Sequence, residues 1–425
     1  MFEKWRRKKE SLPQIDIITQ WEKQEGEFYA PGVLVRVQKG KALLTEKFSG
    51  EPAENTYNTL MFRNTPLILF QGAEYYCPTC EKIVRSGYQL EQTEEFHKEQ
   101  LNRENNTFLE ALEGIKPLLG LLRDNYYVVL DTELYPTDGN GHVFWNVPDN
   151  AEQLPGSCQV YMGDGKWGQL RPHFTVATQS INKLCESRVE YYRKHQNCRA
   201  VAYYMDGYMT ALIDGHHKAM SAALEHKMVK ALVIMPCHTM SIRQKNGTFQ
   251  RYLWAGDFKF SAEAYGLEEV PSFIGEKLSP EEVTHIRGMI SKIEGEFLYN
   301  NDELVSCYPS VEDVAYIDEA GDITEEYLEQ ILSERHICNM EEIDVLMRAL
   351  GGLRHERLFE LADFFLNQCT YTDFVRYYNR EMLLTIVEQI MKLPKTEQIE
   401  EYLIEVMVKY EEDYPTVKSK ILDYL

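Results

Sequence analysis

One short run of the sequence concentrates side chains that could handle a proton or an anion. It consists of Asp214, Gly215, His216, His217 and Lys218. A glycine at such a turn lets the chain bend sharply and lets a ligand approach the backbone. The N–H groups at the start of a helix attract anions, and the imidazoles and ammonium group add donors. The carboxylate can bind a metal ion or accept a proton. The run therefore predicts an anion site with an acid/base group beside it.

This run needs a strand before it and a helix after it, and the sequence predicts both. Residues 200–205 and 208–213 have the composition of strands, and the Asp206-Gly207 pair between them is a strong hairpin signal. A helix is predicted over 218–227, and a strand over 229–235. The motif is therefore expected at a strand-to-helix turn that follows a hairpin.

The motif and the order of elements around it resemble the ParB/sulfiredoxin-like superfamily over about residues 159–236. That family's signature is Gly-x-x-Arg opening a helix after a strand, and Gly215 and Lys218 occupy the two places here. The most similar form is the Asp-Gly-His-His-Arg or Asp-Gly-His-Thr-Arg variant of free-serine kinases and related uncharacterised proteins. The resemblance implies a mixed-sheet core whose turn binds nucleotide or phosphate.

The sequence departs from the family pattern in ways that narrow the expectation. Lys218 replaces the usual Arg, which keeps the charge and loses the bidentate geometry. Sulfiredoxins have Cys where His216 stands, so their repair reaction is not expected. The Glu-Arg-Arg of chromosome-partitioning ParB is also absent. The kinase resemblance implies a second acidic residue from an earlier segment, and Asp131 and Glu133 after the strand at 126–130 are the candidates.

The resemblance implies a nucleotide- or phosphate-binding protein, and its enzymatic form would be a phosphotransferase or phosphohydrolase acting on a small hydroxyl compound. Gly215, His216, His217 and Lys218 would hold ATP or ADP, and Asp214 would bind Mg²⁺. Asp214 and the two histidines are then the candidate catalytic groups. In that mechanism the helix N-terminus and Lys218 hold phosphate oxygens while the metal neutralises developing charge.

Three other interpretations of the same sequence stay open. The Asp214-Gly215 pair can be a plain tight turn, with the histidines capping the helix or packed against the sheet. The protein can be a non-catalytic regulator or scaffold that uses its helical C-terminal part to bind another protein. A ParB-like nuclease is the third interpretation, which is disfavoured because no basic path leads to the motif.

Cys77 and Cys80 form a Cys-x-x-Cys pair that resembles one knuckle of a zinc ribbon. A tetrahedral zinc site needs four ligands, and the nearest candidates to complete it are His97 and Cys158. A redox pair and ordinary buried thiols are the alternatives, because thioredoxin-like pairs lie at a strand-to-helix junction. The expected cofactors are thus a nucleotide with Mg²⁺, and Zn²⁺ at this pair.

Composition predicts an α+β protein of several segments. We expect a β-rich region with the cysteine pair at 1–110, the ParB/sulfiredoxin-like core at 111–260, an acidic connector at 261–323, and an all-α domain, HEAT-like or bundled, at 324–425. Six helices with apolar stripes are predicted in that last domain: 324–333, 340–350, 357–368, 380–391, 397–410 and 416–424.

The 425-residue chain has a formal net charge of −22, and the excess acid lies beyond residue 260. This balance argues against a surface that grips nucleic acid or anionic lipid, and favours a protein partner for the acidic, helical part. The strongest apolar run, at 231–236, is too short to cross a bilayer. Scattered cysteines and a start without a secretory signal predict a cytoplasmic location.

Overall fold

The structure is a computed structural model that describes most of the chain. The described residues are 12–24, 28–49, 57–69, 74–75, 80–88, 107–146, 161–162, 166–167, 171–195, 197–270, 276–288, 297–336, 338–368, 380–410 and 415–425. The chain divides into two compact units. Unit 1 contains residues 1–159 and 170–305, and unit 2 contains residues 160–169 and 306–425.

Strands and helices both contribute to the described chain, which confirms the α+β class. In chain order the strands are β1 Gln14–Trp21, β2 Gly32–Gln38, β3 Leu44–Ser49, β4 Tyr57–Phe62, β5 Thr65–Leu69, β6 Glu74–Tyr75, β7 Asn125–Leu134, β8 Tyr161–Met162, β9 Lys166–Trp167, β10 Phe174–Ala177, β11 Ala200–Asp206, β12 Met209–Asp214, β13 Val229–Pro236, β14 His238–Arg243, β15 Phe249–Ala255, β16 Phe258–Ser261 and β17 Glu276–Lys277. The helices are α1 Cys80–Gly87, α2 Phe108–Leu119, α3 Glu186–Lys194, α4 His216–Leu224, α5 Pro280–Gly288, α6 Asn301–Val305, α7 Val311–Ala320, α8 Glu325–Leu332, α9 Met340–Leu353, α10 Leu358–Asp363, α11 Arg380–Ile390, α12 Glu397–Lys409 and α13 Pro415–Tyr424.

A seven-stranded mixed sheet forms the centre of unit 1, in the order β1-β2-β7-β13-β11-β12-β10. Strand β11 pairs parallel with β13 and antiparallel with β12, and β10 pairs parallel with β12. The apolar runs of β11 and β13 are buried almost throughout, as expected for strands covered on both faces. The predicted hairpin is present, with Gly207 at a φ of 55° between β11 and β12.

Smaller sheets complete unit 1. Strands β17, β3, β4, β5 and β6 form one sheet in that order, and β14, β15 and β16 form a three-stranded antiparallel sheet. In β14 only alternate or partial burial is seen, which is typical of a sheet with one solvated face. These sheets leave the seven-stranded sheet as the element that carries the 214–218 motif.

Unit 2 is mainly helical, and its helices follow the apolar stripes of the sequence. Five of the six predicted helices are found within a few residues of their expected bounds, as α8, α9, α11, α12 and α13. The sixth, predicted over 357–368, is α10 followed by a π-helical turn at Phe364–Gln368. Helix α7 packs against α9, α9 against α11, and α11 against α13. Their stripes meet in one apolar core that includes Leu346, Leu361 and Ile386.

One prediction about the helices of unit 1 needs correction. The sequence predicted a continuous helix over 178–194, whereas the structure has a 3₁₀ turn at Ile181–Lys183 and then α3 from Glu186. The Ser180 hydroxyl caps the short turn by accepting from the Asn182 N–H, and such local side-chain bonds compete with helix. Among the described residues, no helix is long and apolar enough to cross a membrane.

Candidate functional site

The predicted turn forms at the end of β12, and its glycine is required by sterics. Gly215 has a φ of 99°, a region that L-residues rarely adopt, and it is the N-cap of α4. A Cβ placed on Gly215 would lie 2.7 Å from the Cβ of Ala200 on β11. The sharp bend and the close approach of β11 both exclude a side chain. The glycine therefore serves the packing of the turn against its own sheet.

His216 points into the core of unit 1. Its side chain is 1% exposed and lies beside Trp145, with ring centroids 5.5 Å apart. Its Nε2 accepts a hydrogen bond from the Thr178 N–H at 3.1 Å, so the neutral ring carries its proton on Nδ1. Burial, with smaller contributions from His217 and Arg188, lowers the pKa of His216 to about 3. The imidazole is therefore neutral near pH 7 and holds β10 to α4.

His217 plays a similar part on the neighbouring side of the helix. It is 3% exposed, and its Nε2 accepts a hydrogen bond from the Cys185 N–H at 3.2 Å. The ring meets Trp145 edge-on, with centroids 5.3 Å apart. Both histidines thus connect α4 to the segment between β10 and α3.

Lys218 places an ammonium group inside unit 1. Its Nζ donates to the Arg199 carbonyl at 2.9 Å and to the Asp214 carboxylate at 3.3 Å, and it lies 5.6 Å from the centre of the Tyr192 ring. Burial disfavours the charged form, but Asp214, Tyr192 and Cys198 outweigh it, so the pKa of Lys218 lies above its ordinary value. The charge is held in a fixed place on α4.

Beside this lysine lies a cavity of about 320 Å³. One stripe of α4 forms part of its wall, with Lys218, Ser221, Ala222 and Glu225 at helical spacing. The opposite wall comes from α3, β13 and the turn before it, and from β7. The titratable residues that line the cavity are Glu133, Tyr192, His195, Cys198, Lys218, Glu225, Lys227 and Lys230.

The charges around the cavity are partly balanced by neighbours. The Arg193 guanidinium donates to Glu225 at 2.6 Å, and this pairing lowers the pKa of that carboxyl. Glu133 on β7 is the register partner of Lys230 on β13, which places opposite charges on adjacent strands. Lys227 and Lys230 are exposed, whereas Lys218 is buried. The cavity therefore has a buried ammonium group in its wall and exposed ammonium groups at its edge.

The predicted site residues separate into two groups. Lys218 and Glu133 line the cavity, whereas Asp214, Gly215, His216 and His217 are absent from the described residues that line it. Asp131 is held by a two-point ion pair, because the Arg199 guanidinium donates to both carboxylate oxygens at 2.7 and 2.8 Å. A catalytic role for Asp214 or either histidine stays a prediction.

Metal binding was predicted at two places. Mg²⁺ is commonly held by one or two carboxylates together with substrate phosphates, so Asp214 as a magnesium ligand stays a prediction. Cys77, His97 and Cys158 lie outside the described residues, and Cys80 is the first residue of α1. The zinc prediction at the cysteine pair is therefore also untested.

The sequence reasoning missed two sets of residues. Glu225, Lys227 and Lys230 line the cavity, and their only signal was their position after the motif, on the predicted helix and the strand that follows. In unit 2, ligand atoms of His336, Cys338 and Glu342 all lie within 4.8 Å of one another. Their His-x-Cys-x₃-Glu spacing at the start of a helix was the available signal for this second set.

Comparisons of the chain with protein-family models, with curated proteins and with solved structures gave no match in any of the three. The resemblance to the ParB/sulfiredoxin-like superfamily accordingly stays a prediction that rests on the 214–218 motif and its element order.

Proposed function

We propose that unit 1 binds a small phosphorylated molecule of the nucleotide class in the cavity beside α4. The observation that carries this proposal is the combination of a cavity of about 320 Å³ with the buried ammonium of Lys218 in its wall and Lys227 and Lys230 at its edge. Ligand sites are typically concave and hold a few fixed polar groups. The cavity volume lies at the lower end of the usual ligand-site range of about 300–1,000 Å³, which favours a small ligand.

The charge distribution favours an anion. The wall contains three lysines and two carboxylates, and one of those carboxylates, Glu225, is bound by Arg193 from outside the lining. A fixed cation next to a water-poor wall attracts phosphate more strongly than the same cation in open solvent. Lys218 would supply the fixed charge, and the flexible Lys227 and Lys230 would close over phosphate oxygens.

In this proposal the motif residues act through position. His216 and His217 hold the first turn of α4 against the core, and Asp214 holds the Lys218 ammonium by its carboxylate. Gly215 allows the approach to β11. The residues that would touch the ligand lie one and two turns further along the helix and on β13.

Isothermal titration calorimetry with ADP, ATP and inorganic phosphate, with and without Mg²⁺, tests the proposal. The double variant Lys227→Gln/Lys230→Gln should weaken ADP binding by about tenfold or more, because each charge-assisted hydrogen bond contributes about 1.5–3 kcal/mol. The control is Lys245→Gln, which removes an exposed lysine of the β14–β15 turn. Equal affinities in wild type and double variant would contradict the proposal, as would no binding by the wild type.

Phosphoryl transfer is the enzymatic form of the same proposal, and the carboxylate of Glu133 in the cavity wall favours it. A carboxylate beside a bound phosphate could accept the proton of an attacking hydroxyl group. Glu133→Gln should retain ADP binding and lose ATP turnover in an assay with Mg²⁺ and a panel of small hydroxyl compounds. Turnover that survives this change would exclude Glu133 as the base.

A further inference from the structure

Unit 2 has a second group of chemically active side chains, at the turn between α8 and α9. The Nε2 of His336 lies 2.6 Å from Oε1 of Glu342. The Cys338 sulfur is close enough that one atom from each of these three residues lies within 4.8 Å of the others. From this geometry we propose that His336, Cys338 and Glu342 bind a divalent transition-metal ion of the zinc type.

The donor set selects the class of metal. One imidazole nitrogen, one thiolate and one carboxylate oxygen are the three ligand types that zinc accepts in tetrahedral sites. Magnesium and calcium prefer oxygen ligands alone, so a buried thiol next to a histidine does not suit them. The mixed N, S and O set therefore points to zinc or to a metal of similar softness, such as cobalt.

The geometry needs only a small adjustment to accept the ion. Two ligand atoms about 2.0 Å from a tetrahedral metal lie about 3.3 Å apart, so His336 and Glu342 would separate by about 0.7 Å. The proton between Nε2 and Oε1 would be replaced by the metal, with the imidazole proton moving to Nδ1. The Cys338 thiol would lose its proton to solvent as it becomes a thiolate. The turn before α9 can absorb this shift because the His336 side chain is 37% exposed.

Neighbouring groups hold Glu342 in place for this role. Glu342 is the third residue of α9 and completes a capping box with Asn339, whose side chain accepts from the Glu342 N–H at 2.9 Å. The Tyr327 hydroxyl donates to Oε1 of Glu342 at 2.8 Å. Such outer hydrogen bonds fix the orientation of metal-binding carboxylates. The capping role alone explains Glu342, but it does not explain the convergence of His336 and Cys338.

A cavity of about 370 Å³ adjoins the cluster, lined by Glu342 together with Tyr327, Asn339, Glu319 and Glu341. Three protein ligands leave one tetrahedral position for water or another small ligand. Because the cavity reaches Glu342, we place that fourth position on the cavity side. A site with an open position can exchange ligands, whereas a structural site with four protein ligands cannot.

Cobalt titration of the full chain tests the proposal, in a Cys77→Ser/Cys80→Ser background that removes the other cysteine pair. One Co²⁺ per chain should give the visible bands of a tetrahedral site and a near-ultraviolet sulfur-to-cobalt charge-transfer band, and Zn²⁺ should displace it. Cys338→Ser should abolish the charge-transfer band. His336→Gln and Glu342→Gln should each weaken Co²⁺ binding by at least about tenfold.

The matched control is Cys307→Ser, which removes another cysteine of unit 2. It should leave the spectrum and affinity unchanged. A charge-transfer band that persists in Cys338→Ser, or its absence in the parent, would overturn the proposal.

Stability supplies an independent readout in case Cys338→Ser disturbs the fold of unit 2. A metal that binds only the folded state raises the unfolding temperature as its concentration rises. Zn²⁺ should raise the unfolding temperature of the parent protein and not that of His336→Gln, in which an exposed side chain is replaced. An equal shift in both proteins would count against the site.

Discussion

The β12–α4 turn of unit 1 and the α8–α9 turn of unit 2 both combine histidine with an acidic residue, but they differ in what surrounds the imidazole. At the first turn, His216 is 1% exposed and bonded to a backbone N–H. At the second, the His336 side chain is 37% exposed and faces a carboxylate and a thiol. The first imidazole is occupied by the fold, whereas the second is directed at other ligand-type groups.

This difference shows that residue type is a weak guide to chemistry when burial is unknown. A buried neutral histidine that accepts a backbone hydrogen bond stabilises the fold and cannot easily change partners. A half-exposed histidine can exchange its proton for a metal at little cost. The motif that concentrates the most histidine is therefore the one in which the histidines serve the structure.

Replacing each histidine by Ala should give the largest contrast between the two turns. His216→Ala leaves a cavity beside Trp145 and an unpaired Thr178 N–H, so we expect the free energy of unfolding to fall by about 4 kcal/mol. His336→Ala in metal-free protein should cost about 1 kcal/mol or less, because its partner is solvated. Urea unfolding followed by tryptophan fluorescence for the first and by far-ultraviolet circular dichroism for the second measures both. Similar losses would break the comparison.

The glycine of the first turn should be the next most sensitive position. Gly215→Ala forces a side chain into a φ of 99° and against Ala200, at a cost of about 3 kcal/mol in the free energy of unfolding. Gly247 is the matched control, since its φ of 85° is similarly positive but nothing lies within 4 Å of its added Cβ. Gly247→Ala should cost about 1 kcal/mol in the same urea experiment. If both variants lose equal stability, backbone strain alone accounts for the glycine.

The buried imidazole should make unit 1 sensitive to acid. The pKa of His216 is lowered by burial to about 3, so below pH 6.5 the unfolded state binds a proton that the folded state refuses. Stability from this group is thus complete above pH 6.5 and is lost as the pH falls towards 3. Between pH 8 and pH 5 the loss should be about 2 kcal/mol.

Urea unfolding at several pH values, with His216→Gln beside wild type, isolates this contribution. The variant should lack the extra acid sensitivity, while His285→Gln, a change at an exposed histidine of α5, should keep it. A wild-type slope that His216→Gln leaves unchanged would show that the ring is protonated in the folded state.

The smallest expected effect concerns the caps of the two helices. Helix α4 begins at Gly215 without a side-chain cap, whereas α9 begins with the reciprocal capping box of Asn339 and Glu342. Asn339→Ala should lower the free energy of unfolding of unit 2 by about 1 kcal/mol. It should also weaken Co²⁺ binding, since the cap orients Glu342. Unchanged cobalt affinity would limit the cap to a structural role.

Much of the local structure was predictable because it depends on neighbours in sequence. The Asp206-Gly207 hairpin, the strand at 229–235 and the helices of unit 2 follow from turn chemistry and apolar spacing. The helix that should have filled 178–194 was wrong because Ser180 caps a short turn through its own side chain. Local competition of that kind leaves little trace in apolar periodicity.

The sequence by itself determined where the β12–α4 turn forms, because a glycine between an apolar strand and a helix-forming run permits no other local geometry as cheaply. Only the tertiary structure decided which way the side chains point. His216 and His217 face the core since Trp145 and the segment before α3 pack there, and Lys218 faces a cavity completed by Glu133 and Lys230 from other strands. Contacts between distant residues depend on sheet register and packing, which no local pattern encodes.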